Sequence, residues 1–243
     1  MAKRKAKKKP EKGRVAGAAA RIWRFFWRWL RRAFYAAAGL VAFGVVLVAF
    51  VNPPTTLYMA AENARHDGLS HQWVDFEDIA PVMVRSVVAA EDANFCLHWG
   101  FDMAAIRQVI ASGENRGAST ISQQVVKNVY LWPGRSWLRK ALEALITPAM
   151  ELVWTKRRIL EVYLNVAEFD TGVFGIEAAA QHHFGIAASG LSAMQAARLA
   201  AVLPDPKGRS AVRPTPFLRR RAASIRDGAE TIRRDGRAAC FEG

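Results

Sequence analysis

The sequence predicts a mainly α-helical domain preceded by a single transmembrane helix. Three observations carry that expectation: an uncharged apolar run near the N-terminus, apolar residues at three- and four-residue spacing through most of the chain beyond it, and no period-2 run of convincing length. The chain has 243 residues, 51% of them apolar and two of them cysteine. That length holds one compact domain plus an extra segment, and the apolar fraction excludes a wholly disordered chain. Two cysteines cannot build a disulfide framework or a four-thiolate zinc site.

The formal charge of +14 is concentrated rather than spread. Residues 1–32 hold 13 Lys and Arg against Glu11 alone, net +12, so the remaining chain carries only about +2. This segment reads as a basic cytoplasmic tail that fixes topology and lies against anionic lipid, with nucleic-acid binding a distant second reading. Residues 33–51, AFYAAAGLVAFGVVLVAFV, contain no charge and as a helix rise roughly 28 Å, the hydrocarbon thickness of a bilayer. Trp23, Trp27 and Trp29 on one side and Tyr58 on the other suit aromatic rings at headgroup level. By the positive-inside rule the N-terminus stays in the cytoplasm and the chain from about Asn52 lies outside. A cleavable signal peptide is the competing reading, but the run is longer than a usual h-region and no small-x-small site comes after it.

Asn52-Pro53-Pro54 ends the membrane helix, and residues 52–70 read as a linker before a domain over 71–237. Within that domain Pro81 opens one helix and Thr120 another. Arg135 to Trp154 is a third, interrupted by Pro148; Thr155 to Phe169 and Leu191 to Leu203 come next. From Arg209 to Arg237 nine arginines face three acids, net +6. This tail reads as a solvated terminal helix or as a contact for anionic lipid or substrate.

Four segments carry residues able to do chemistry. In EDANFCLHWGFD, Glu91 stands in the apolar stripe of Val84, Val87, Val88 and Phe95, where burial would raise its pKa toward the range of a general base. Asp92, His98 and Asp102 lie just beyond it; taken alone, such a pair of acids at a helix end is more often a cap. In GASTISQQVVKN, Gly117 gives a permissive turn, Ser119 or Thr120 caps a helix, and the free N–H groups of its first turn offer an anion site. Ser119, Gln123 and Lys127 fall on one stripe with Gln124 and Asn128 beside it. RSWLRKALEA supplies Arg135, Arg139, Lys140 and Glu143. KRRILEVYLN supplies core residues Tyr163 and Leu164, with Gly172 and Gly175 as turns beyond it.

These four segments, in this order, resemble the peptidoglycan glycosyltransferases of family 51. E-D-x-x-F-x-x-H-x-G-x-D is met by Glu91, Asp92, Phe95, His98, Gly100 and Asp102. G-x-S-T-I-x-Q-Q-x-x-K-N is met from Gly117 to Asn128. R-K-x-x-E is Arg139, Lys140 and Glu143, and K-x-x-I-L-x-x-Y-L-N runs from Lys156 to Asn165. Gln195 stands where Glu is expected, and the spacer between the first two motifs is short.

The resemblance implies a lysozyme-like helical fold and polymerisation of lipid II into β-1,4 glycan on the outer face of a bacterial inner membrane. It implies Glu91 as general base with inversion at the donor C1, and Glu143 as a second essential carboxylate. Ser119, Gln124, Lys127, Arg139 and Lys140 would bind substrate, and Asp92, His98, Thr120, Gln123 and Asn128 would support them. A pyrophosphate leaving group needs its charge neutralised rather than a proton, so cation-rich motifs favour a transferase over a lytic glycosidase. A divalent cation, Mg or Mn, is a candidate helper; no organic cofactor is expected. The partners implied are lipid II, the growing glycan, the plasma membrane and the cell-wall synthesis or division machinery, without nucleic acid. S-x-x-K and K-T-G are absent, so no transpeptidase activity is expected. Val129 to Trp154, with Trp132, Trp137 and Trp154, reads either as an apolar-basic surface near the membrane or as core. Cys96 reads as a small core residue, and nothing in the sequence pairs it with Cys240.

Overall fold

The computed structural model describes residues 12–66, 68–113, 119–134 and 136–242, with side chains from residue 21 onward. Gly117 and Arg135 lie outside the described residues. The chain divides into two compact units, residues 1–47 and 48–243.

Helix α1 (Lys12–Phe50) is continuous through the basic segment and the apolar run, so the helix begins well before the uncharged residues. Its span Arg21–Phe50 is long and apolar enough to be transmembrane. Phe34, Leu40 and Phe43 stand exposed along it, as does the aromatic cluster of Trp23, Trp27 and Trp29. The helix stops ahead of the Pro53-Pro54 pair, which cannot continue it.

The second unit is built from helices packed around a small sheet. Residues 52–70, expected as linker, contain α2 (Leu57–His66), whose Met59 and Glu62 are buried. Glu62 is held by Lys207 at 2.5 Å and Arg65 at 2.6 Å, a buried charge matched by cations from near and far in the chain. A three-stranded sheet, order β1-β3-β2, is formed by β1 (Ser70–His71), β2 (Glu168–Asp170) and β3 (Val173–Phe174). β1 pairs parallel to β3 and β2 antiparallel to it. Strands of two or three residues are too short to print a period-2 pattern in sequence.

Around the sheet stand α3 (Pro81–Glu91), α4 (Met103–Ser112), α5 (Ile121–Tyr130), α6 (Trp137–Val153), α7 (Lys156–Val166), α8 (Ile176–Phe184), α9 (Ala193–Val202), α10 (Pro216–Arg234) and α11 (Ala239–Glu242). Local chemistry sets their starts. Proline opens α3 and α10, and Thr120, Thr155, Ser192 and Thr215 accept a backbone N–H from the first turns of α5, α7, α9 and α10. Gln195 completes a capping box with Ser192, a task its amide performs as a Glu carboxylate would. Helix α6 runs through Pro148. The carbonyl that loses its N–H partner is that of Ala144, which is exposed, so water can satisfy it.

The arginine-rich tail is not merely a solvated helix. Leu218, Ala222, Ile225, Ala229 and Ile232 of α10 are buried at helical spacing against α3 and α9. The arginines between them mask an amphipathic core helix in any net-charge reading. Phe241 of α11 is also buried, and Cys240 forms a disulfide with Cys96 across 144 residues. Cys96 is therefore a covalent tie between the turn after α3 and the C-terminal helix.

Candidate functional site

Four chain segments meet at one edge of the helical core. Val84, Val87 and Val88 bury the inner face of α3, and Phe95 packs beside them. This carries Glu91, at the last turn, half into the interior. One Glu91 oxygen accepts a hydrogen bond from the Gln124 amide at 3.0 Å; Gln124 in turn accepts one from the buried Tyr163 hydroxyl at 3.2 Å. Burial raises the Glu91 pKa, while the Gln124 amide and then the charges of Arg221, Lys127 and Arg209 pull it back. A carboxylate poised between desolvation and neighbouring cations has the character of a base that works near neutral pH.

Asp92 caps the end of α3 and is spent on architecture. One oxygen accepts from His98 Nε2 at 2.8 Å, the other from the Ile121 backbone N–H at 3.0 Å. Thr120 and Gln123 form a reciprocal capping box, and the Thr120 hydroxyl donates to the Gly100 carbonyl at 2.7 Å. Two of the donors at the start of α5 expected to bind an anion are thus taken by Asp92 and by the cap. Gln123 is buried in this role; Gln124, Lys127 and Asn128 face the cleft instead. Gly100 has φ +83°, and a Cβ there would lie 2.6 Å from Thr147 Cγ2. A side chain at that position would push apart α6 and the loop after Glu91.

The fourth motif supports the first. Lys156 Nζ donates to the His98 carbonyl at 2.7 Å and to Glu151 at 2.9 Å, and stands 4.3 Å from the centre of the Phe95 ring. Ser122 donates to the same Glu151 oxygen. Asn165 pairs with both backbone groups of Val74, at 2.8 and 2.9 Å, in the manner of a strand neighbour. Asp102 N-caps α4 by accepting from Ala105 N–H at 2.9 Å.

A cleft of about 390 Å³ is lined by Gln124, Lys127, Asn128, Trp132, Arg139 and Glu168, among others; Glu91 is not part of the lining and reaches it through its hydrogen bond to Gln124. Glu143 is buried on α6, ion-paired with Lys140 and 3.9 Å from Arg139 Nη1. Lys140 also donates to Ser119 Oγ at 3.3 Å. The Nε of Arg139 is buried without a hydrogen-bond partner. Burial lowers the Lys127 pKa and Glu143 raises it again, so Glu143 helps keep that ammonium charged. The donor set does not suit a resident divalent cation. Glu143 is surrounded by Lys127, Arg139 and Lys140, and Glu168 is engaged by Tyr58 and Lys207, so these carboxylates offer a dication little net attraction, and Mg²⁺ takes several oxygen ligands. These side chains supply positive charge to the cleft themselves.

Of the residues expected to bind substrate, Gln124, Lys127 and Arg139 line one cleft, while Ser119 and Lys140 lie outside its lining and are tied to each other and, through Lys140, to Glu143. Asn128, expected as a supporting residue, lines the cleft, and Asp92, His98, Thr120 and Gln123 hold the local fold. Two cations were missed as individual residues: Arg221 and Arg209 both act on Glu91 electrostatically. The arginine density of the tail was the signal, but nothing in sequence says which arginine turns inward. The tryptophans divide. Trp137 is 91% exposed and Trp132 partly so, whereas Trp154 is core at 4%. Leu138, Leu145 and Leu152 are exposed at seven-residue spacing on the face of α6 opposite Glu143.

Comparison with known proteins gives the family of the chain. A family model described as Transglycosylase matches residues 58–229. A biosynthetic peptidoglycan transglycosylase of Jannaschia sp. (strain CCS1) is 59% identical over 243 residues, covering 99% of each chain. Proteins of the same name from Rhodospirillum centenum and Caulobacter vibrioides are 48% and 44% identical, covering 88% and 81% of this chain and 96% and 87% of their own. With the family model spanning most of the chain and full-length relatives at this identity, the chain belongs to the transglycosylase family.

Proposed function

We propose that this protein is a peptidoglycan transglycosylase that polymerises lipid II on the outer leaflet into β-1,4-linked glycan, releasing polyprenyl pyrophosphate. The observation that carries the reading is the half-buried Glu91 carboxylate, hydrogen-bonded to Gln124, which lines a cleft together with Lys127 and Arg139. In this reaction the acceptor 4-hydroxyl gives its proton to Glu91 as its oxygen attacks C1 of the donor chain. The C1–O bond to pyrophosphate breaks with inversion. Charge grows on the departing pyrophosphate, and Lys127 and Arg139 stand in the cleft to neutralise it. Glu143 holds Lys140 and sustains the charge on Lys127, so it acts by organising cations. Ser119 is placed through Lys140.

A lytic glycosidase would need a carboxylic acid to protonate an alkoxide. Lys127 and Arg139 instead bring positive charge to the cleft, which suits a pyrophosphate leaving group.

The topology follows from charge. The basic N-terminal segment stays cytoplasmic, α1 spans the inner membrane, and the domain lies outside. The exposed Leu138, Leu145 and Leu152 of α6, with Trp137, offer an apolar face against which a lipid-linked substrate can arrive laterally. The test is incubation of the full-length protein in liposomes with labelled lipid II. One polyprenyl pyrophosphate released per linkage, and a polymer fully digested by a β-1,4-specific muramidase, are expected. A polymer resistant to that enzyme, or cleavage of preformed glycan with no polymer, would overturn the reading.

A further inference from the structure

Away from the cleft, Asp170 at the end of β2 and the adjacent His182 and His183 in the last turn of α8 bring three ligand atoms within 4.8 Å of one another. The Asp170 Oδ2 lies 3.6 Å from His182 Nε2 and 3.7 Å from His183 Nε2. Those separations are too long for hydrogen bonds. They are close to the edge of a tetrahedron around zinc, about 3.3 Å for metal–ligand bonds of 2.0–2.1 Å. The His183 side chain is only 3% exposed, and its Nε2 is buried with no hydrogen-bond partner. A buried polar nitrogen left unmatched is costly unless something fills the gap.

We propose that Asp170, His182 and His183 form a site for a divalent transition metal of the zinc class, with solvent as the fourth ligand. The surroundings suit that occupant. Asp170 Oδ1 is already engaged by the Thr171 N–H at 2.7 Å, which orients the carboxylate and leaves Oδ2 for the metal. His182 is 50% exposed and gives the ion a path in and room for water. The site also lies at the C-terminal end of α8, where the helix dipole favours a cation. Bound metal would clamp α8 to the strand whose Glu168 lines the substrate cleft, while lying apart from the pyrophosphate-binding cations.

The experiment uses full-length protein in detergent micelles, stripped with chelator and dialysed against micromolar Zn²⁺, with bound metal counted per chain. Co²⁺ loading followed by visible absorption reports the geometry. One Zn²⁺ per chain, a tetrahedral Co²⁺ spectrum and a melting temperature raised by Zn²⁺ are expected. Asp170→Asn and His182→Ala, both at accessible positions, should weaken binding at least about tenfold and abolish the thermal shift. His183→Phe keeps the ring volume and should do the same, whereas Glu91→Gln and Glu143→Gln should bind as wild type does. No bound zinc in the wild type, or binding unchanged by Asp170→Asn and His182→Ala, would overturn the proposal.

Discussion

Replacing Cys240 with Ser removes the covalent tie between α11 and the turn beyond Glu91. The bridge closes a loop with a sequence separation of 144. Loop-closure entropy in the unfolded chain puts its contribution at up to about 5 kcal/mol, with about 2–4 kcal/mol typical of measured cases. For a domain of this size each kcal/mol moves the melting temperature by about 2–4 °C, so the variant should melt roughly 10 °C lower. Several contacts nonetheless hold the same region: Phe241 is buried, Arg85 pairs with Glu242 at 2.5 Å, and Arg237 donates to the Ala93 carbonyl at 3.2 Å. The glutamate should therefore stay in place at 25 °C, with most of the polymerising activity retained. The assay is a thermal melt of wild type, Cys240→Ser and dithiothreitol-treated wild type in the same detergent, with activity measured below the transition. Equal melting temperatures in all three, or two free thiols in the denatured unreduced wild type, would refute the reasoning.

Other outcomes rest on the same geometry. The acid limb of the kcat profile should lie above the pH at which an ordinary Glu titrates, because burial raises the Glu91 pKa and the base must be ionised. Arg221→Gln removes a charge that lowers this pKa, so the limb should move to higher pH; an unmoved limb would dissociate Arg221 from Glu91. Lys156→Met leaves Glu151 buried without its cation and should cost about 3–5 kcal/mol of stability in a chemical melt, with Glu151→Gln restoring part of it. Gly100→Ala meets both a positive φ and Thr147, and should destabilise the fold by at least about 1–3 kcal/mol; a neutral effect would contradict the close approach. Trp137→Ser and Leu145→Ser should leave the stability within about 1 kcal/mol of wild type, since both side chains are exposed, while slowing polymerisation in liposomes.

Much of the site was legible in sequence because it depends on spacing along helices. Glu91 interrupts an apolar stripe, and Gln124, Lys127 and Asn128 share a helix face, so local periodicity alone brought them to notice. What sequence could not supply were relations between distant segments. Gln123 looked like part of the polar stripe, yet its amide closes a capping box. The start of α5 looked open to an anion, yet Asp92 from another helix occupies it. In the small sheet β1 pairs with β3 across about a hundred residues, and all three strands are too short to leave a pattern. The tail read as solvated because its arginines outweigh Leu218, Ile225 and Ile232 in composition, although these fall on one helical face. Trp137 and Trp154 are both aromatic and lie on the same segment, and only the packing of α6 assigns one to solvent and the other to the core.

The most direct test of the account is polymerisation of labelled lipid II by wild type and Glu91→Gln, resolved on a gel that separates glycan by length. The two proteins should melt alike, and wild type should give a ladder that falls at least about a hundredfold in the variant, the scale of losing a general base. A folded, membrane-inserted wild type that gives no ladder, or a variant that polymerises as well as wild type, would contradict it.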